Sequence, residues 1–100
     1  LLAFAMKWDR KAPMVVHCFA GISRSTAAAF VAACALNPNR DEIQIARAIR
    51  DASPTAMPNI RIVSIADRML KRDGRMVRAV AALGRGQEAM EGHPFRLDLL

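Results

Sequence analysis

A thiol, a glycine and an arginine stand at a suggestive spacing in residues 17–25, which read His17-Cys18-Phe19-Ala20-Gly21-Ile22-Ser23-Arg24-Ser25. A short apolar run precedes them and an alanine-rich segment follows. Strand, glycine-containing loop and helix in that order form an anion-binding arrangement. The loop amides turn inward as a nest, and the helix N-terminus adds partial positive charge. The five residues between Cys18 and Arg24 are enough to wrap one phosphate with backbone N–H groups. Gly21 permits a turn that a side chain would obstruct. Arg24 can reach back and hold two phosphate oxygens in a planar fork, which lysine cannot offer. The same donors favour the thiolate of Cys18, whose pKa is expected in the range of roughly 3.5 to 7.5 found for thiols at such sites. The chemistry implied is nucleophilic attack by sulfur on a bound phosphoryl group.

Local sequence signals outline the elements that hold this loop. Leu1, Phe4, Ala5 and Trp8 recur at helical spacing, and Lys7, Arg10 and Lys11 suit the C-terminus of a helix that Pro13 stops. Residues 14–17, Met-Val-Val-His, read as a buried strand. A helix is expected over 25–35, broken by Asn37-Pro38-Asn39. Asn39 and Glu42 resemble a capping box for a helix over 40–52, with Ile43, Ala46 and Ile49 on its apolar face. Residues 53–59 carry two prolines and read as a loop. A helix over 60–71 should turn Ile62, Ile65, Ala66 and Met69 inward and end at Asp73-Gly74. A shorter helix over 76–83 precedes an irregular tail over 84–100.

A buried strand needs hydrogen-bonding neighbours on both edges, and the chain offers no second strand. The expectation is therefore an α/β fold whose other strands lie upstream, residues 1–100 being the C-terminal part of a single domain. A mistaken strand over 14–17 is the competing explanation.

Composition narrows the function classes. The chain has 100 residues, 53% hydrophobic and 24% charged, which fits one small globular unit rather than a disordered or collagen-like chain. No apolar run approaches the roughly 18 to 20 residues of a membrane span, and the apolar start lacks the features of a signal peptide. A cytoplasmic location is the default. Its two cysteines, Cys18 and Cys34, do not make a disulfide framework. The net charge of +6 is spread among acids, with no arginine-rich block, zinc spacing or aromatic-basic signature, so neither nucleic acid nor membrane is expected as partner.

Residues 17–25 match the signature His-Cys-x5-Arg-Ser/Thr, and on it the chain resembles the protein tyrosine phosphatase superfamily, most closely the small dual-specificity-like enzymes of bacteria. Pro58-Asn59 is similar to a Pro-Asn pair in the downstream loop of dual-specificity members, a weak signal alone. The resemblance implies a phosphoric monoester hydrolase acting on phosphorylated protein, most readily phosphotyrosine, or on another phosphate monoester. Cys18 would form a phosphocysteine that water hydrolyses. Arg24 and the amides of Phe19, Ala20, Gly21, Ile22, Ser23 and Arg24 would hold the equatorial oxygens. Ser25 would donate to the sulfur and help it leave, and His17 would hold the loop. The scheme uses no metal and no organic cofactor. The family's general acid is an aspartate a few tens of residues before the cysteine. Asp9 stands only nine positions ahead and reads as a surface residue, so the acid is expected outside this sequence.

Plainer roles stand beside these. Cys18 as a buried structural cysteine fits poorly with Gly21, Arg24 and Ser25 in register. Ser25 can serve as a helix N-cap and His17 as a satisfied core histidine without losing the roles above. Cys34 reads as core, His93 as surface, and Asn59 as a helix cap or a residue that positions loop or water. A catalytically dead phosphate-binding module and a rhodanese-like sulfurtransferase or arsenate reductase are the rival functions. The Cys18–Ser25 register suits the last two less well.

Overall fold

The computed structural model describes residues 23–84 and 86. Over these the chain is helical: α1 Arg24–Leu36, α2 Glu42–Ala52, α3 Ile60–Met69 and α4 Arg75–Leu83. No strand occurs among the described residues. The expected helix over 1–8, strand over 14–17 and most of the tail lie outside them. So do His17, Cys18, Phe19, Ala20, Gly21 and Ile22.

The helices form a ring. α1 packs on α2 and α3, and α4 packs on the same two from the other side. α1 is rich in small residues and largely buried. Its Ala27, Phe30, Val31, Ala33 and Cys34 are buried, joined by Ile45 and Ile49 of α2, Val63 of α3 and Met76 and Ala79 of α4. Cys34 is fully buried, as its apolar helix suggested. No helix among the described residues is long and apolar enough to cross a membrane.

Two helix starts differ from expectation in their chemistry. The N-cap of α2 is Asp41 rather than Asn39, and its carboxylate accepts from the Ile43 N–H at 2.9 Å. Ala46 and Ile49 are fully buried, as expected. Ile43, expected inside, is 39% exposed, while Glu42 is buried. On α3, Ile65 and Met69 were expected to face inward, yet they are 46% and 64% exposed, and Asp67 is buried in their stead. The reason is α4. Its N-cap is Gly74, which has no side chain to offer. The Asp67 carboxylate fills that role from a neighbouring helix, accepting from the N–H groups of Gly74 at 2.8 Å, Met76 at 2.8 Å and Val77 at 3.3 Å.

The turn between α3 and α4 aims Arg72 inward. Lys71 occupies the left-handed region at φ 56°, the position glycine usually fills after a helix. The N–H of Arg72 then donates to the Asp67 carbonyl and that of Lys71 to the Arg68 carbonyl, a Schellman closure. Gly74 follows at φ 82°, where a side chain would be strained. Arg72 ends buried, donating to Glu42 Oε2 at 2.8 Å and to the Cys34 carbonyl at 2.6 Å. It thereby ties the end of α1 to the start of α2.

Arg50 makes a second long-range clasp. Its guanidinium donates to the carbonyls of Ala56, Leu83 and Gly84, at 3.0, 3.1 and 2.7 Å. The 53–59 loop and the end of α4 are held together in this way. Gly86 lies so close to this loop that a Cβ would stand 2.8 Å from the Ala56 carbonyl oxygen.

Candidate active site

Ser23 is where the described residues meet the expected phosphate loop. It is the N-cap of α1, and its side chain makes no capping hydrogen bond. The first turn of α1 holds no acidic residue, so its positive end is not neutralised from within the helix. Ser23 is half-buried and its carbonyl is the local anchor. It accepts from the Ala27 N–H at 3.0 Å, the Thr26 hydroxyl at 3.1 Å and the Asn59 N–H at 3.1 Å.

Of the residues singled out from sequence, the structure places three. Ser23 is anchored as described. Arg24 is the first residue of α1 and is exposed, with its guanidinium bonded to no described residue. Ser25 follows inside the helix rather than at the cap, and is buried. Adjacent residues on a helix point about 100° apart, so one can face the interior while the other faces solvent. His17, the expected nucleophile Cys18 and residues 19–22 lie outside the described residues.

Asn59 is tied to this site in a way its sequence signal did not reveal. Its side chain caps α3, accepting from the Ile62 N–H at 3.1 Å, as the helix-cap reading required. Its backbone N–H reaches the Ser23 carbonyl. One residue therefore fixes the start of α3 and braces the start of α1. Pro58-Asn59 was the only local hint, and a pair of residues cannot specify a backbone contact to a segment thirty-odd positions away.

The other end of α1 is electrostatically different. Burial pushes the Cys34 thiol up to about 12, against a smaller opposing pull from the Arg72 charge. Burial would also raise the Glu42 carboxyl. Its own backbone N–H and the guanidiniums of Arg72 and Arg75 outweigh that and hold it below the ordinary carboxylate range. Arg75 lies 3.2 Å from the same Oε2.

The family model for protein-tyrosine phosphatase matches residues 1–64. That stretch contains the whole of 17–25 and extends through α1, α2 and the first half of α3. No curated protein and no solved structure matches the chain.

Proposed function

Because the chain belongs to the protein-tyrosine phosphatase family, we propose that it hydrolyses phosphate monoesters, phosphotyrosine first among them, through a phosphocysteine on Cys18. The observation that carries this reading is the family match across residues 1–64, which embraces the complete His17–Ser25 signature. The exposed Arg24 at an uncapped helix start is what a phosphate clamp requires, and supports it.

In the first step the Cys18 thiolate donates its electron pair to phosphorus as the ester P–O bond breaks. The leaving oxygen takes a proton or departs as a stabilised phenolate. In the second step water attacks phosphorus, the P–S bond breaks, and thiolate and inorganic phosphate are released. Arg24 and the amides of residues 19–24 hold the three equatorial oxygens throughout and meet the charge that develops on them. The Ser25 hydroxyl stabilises sulfur as it leaves, and His17 keeps the loop in place.

General acid catalysis is worth about 10²- to 10⁴-fold, and substrates with poor leaving groups depend on it most. Para-nitrophenyl phosphate makes little demand on an acid and is the substrate of choice for the test. Turnover by the chain that disappears in Cys18→Ser supports the proposal. Turnover that survives Cys18→Ser, or its absence in a folded chain, overturns it. Thiosulfate turnover would point to the sulfurtransferase instead.

A further inference from the structure

The hydrogen bond from the Asn59 N–H to the Ser23 carbonyl does more than brace α1: it sets a short exposed segment against the end of the phosphate loop. Consecutive Cα atoms lie ~3.8 Å apart, so Met57, Ile60 and Arg61 are all within two residues and roughly 8 Å of chain from that contact. Their exposure is unusual. Met57 is 39% and Ile60 51% accessible, in a chain whose Pro58 between them is buried. Arg61 is exposed, its carbonyl accepts from the Ser64 hydroxyl at 3.0 Å while its guanidinium meets no described residue, and the first turn of α3 holds no acid. Two exposed apolar residues and one exposed cation thus lie within two residues of the backbone contact to Ser23.

Resting on the phosphatase reading above, we infer that Met57, Ile60 and Arg61 form a rim that reads the polypeptide beside the phosphorylated residue, with Arg61 selecting an acidic side chain there. The apolar pair offers dispersion and burial to the substrate's backbone and side-chain stems. The arginine supplies charge complementarity and a planar fork for one carboxylate. A phosphorylated peptide with a glutamate or aspartate next to the phosphotyrosine is the occupant that uses all three. A peptide with lysine there would meet repulsion.

The test uses the full chain and two phosphotyrosine peptides that differ only in glutamate or lysine at the flanking positions. Each peptide competes with para-nitrophenyl phosphate turnover, which makes little demand on a general acid, and the ratio of the lysine peptide's inhibition constant to the glutamate peptide's is the readout. In the wild type the acidic peptide should be favoured. Arg61→Glu should lower the ratio about fivefold, the scale of one partly screened attraction turned into repulsion. Arg61→Gln should fall between, and serves if the reversal impairs folding. Arg47→Glu on the exposed face of α2 makes the same change in net charge elsewhere. A ratio near one in the wild type, a ratio indifferent to Arg61, or an equal fall in Arg47→Glu overturns the rim. The phosphatase reading survives any of these if para-nitrophenyl phosphate is still turned over. If that substrate is not turned over, the phosphatase reading fails and the rim falls with it.

Discussion

At the C-terminal end of α1, Arg72 is buried, shares its guanidinium between the Cys34 carbonyl and Glu42, and so supplies the positive charge that the last turn of the helix lacks. At the N-terminal end, Arg24 is exposed, with its guanidinium bonded to no described residue. A cysteine accompanies each arginine: Cys34, buried and held as the thiol, and Cys18, six positions ahead of Arg24 in a loop whose donors should favour the thiolate. The two ends use the same pair of residue types in opposite ways. Where the charge is satisfied inside the protein it fixes architecture. Where it is left exposed at a helix start, the proposed function assigns it to a ligand. The contrast separates variants that lose stability from those that lose chemistry.

The largest expected effect lies at the structural end. Arg72→Met keeps the bulk of the side chain but leaves the Glu42 carboxylate buried with only the partly exposed Arg75 beside it. Removing one partner of a buried pair costs about 3 to 5 kcal/mol. Urea unfolding should show a loss near the low end of that range, and a second change, Glu42→Leu, should restore part of it. A loss below ~1 kcal/mol, the scale of an exposed pair, would break the comparison, since Arg72 would then be no more structural than Arg24.

At the other end, Arg24→Lys keeps the charge and removes the fork. Loss of a preorganised transition-state donor costs about 10²- to 10³-fold in kcat. Para-nitrophenyl phosphate turnover should fall by about that much. The unfolding midpoint should move little, because surface changes stay within about 0.5 kcal/mol. A large shift in the midpoint with modest loss of turnover would reverse the assignment of the two arginines.

Much of the helical frame was legible from sequence because its punctuation is local. Pro38, Pro54 and Pro58 bound the helices, and Asn59 caps α3 as its position suggested. The faces were less legible. Periodicity places Ile65 and Met69 on the inner side of α3, but it cannot know that Gly74 needs a carboxylate from outside its own helix, which draws Asp67 inward. Likewise Glu42 is buried because Arg72, thirty residues on, is aimed at it by a left-handed Lys71. Both are partnerships between distant polar groups, for which apolar spacing carries no signal. The site divides in the same way. Its signature residues were readable as a string of side chains, whereas the brace from Asn59 to Ser23 is made by backbone atoms and has no residue code.

A further comparison sharpens the contrast between the cysteines. A thiol raised from 9.0 to about 12 in the folded chain keeps its proton where the unfolded chain has lost it. Between those values the folded state binds more protons than the unfolded one, so stability must fall as pH rises. The stabilisation is complete below pH 9.0 and gone above about 12. Cys34→Ala should start lower, because it leaves a small cavity in the core, and then decline less steeply over that window. Lysine and arginine titrations are common to both proteins and cancel in the difference. Labelling with a thiol reagent at neutral pH gives the other half. One thiol should react quickly in the folded chain and vanish in Cys18→Ser, while Cys34 should react only as the chain unfolds, since neither access nor thiolate is available to it before then. Two thiols reacting together in the folded protein would mean that neither burial nor activation distinguishes the two ends of α1.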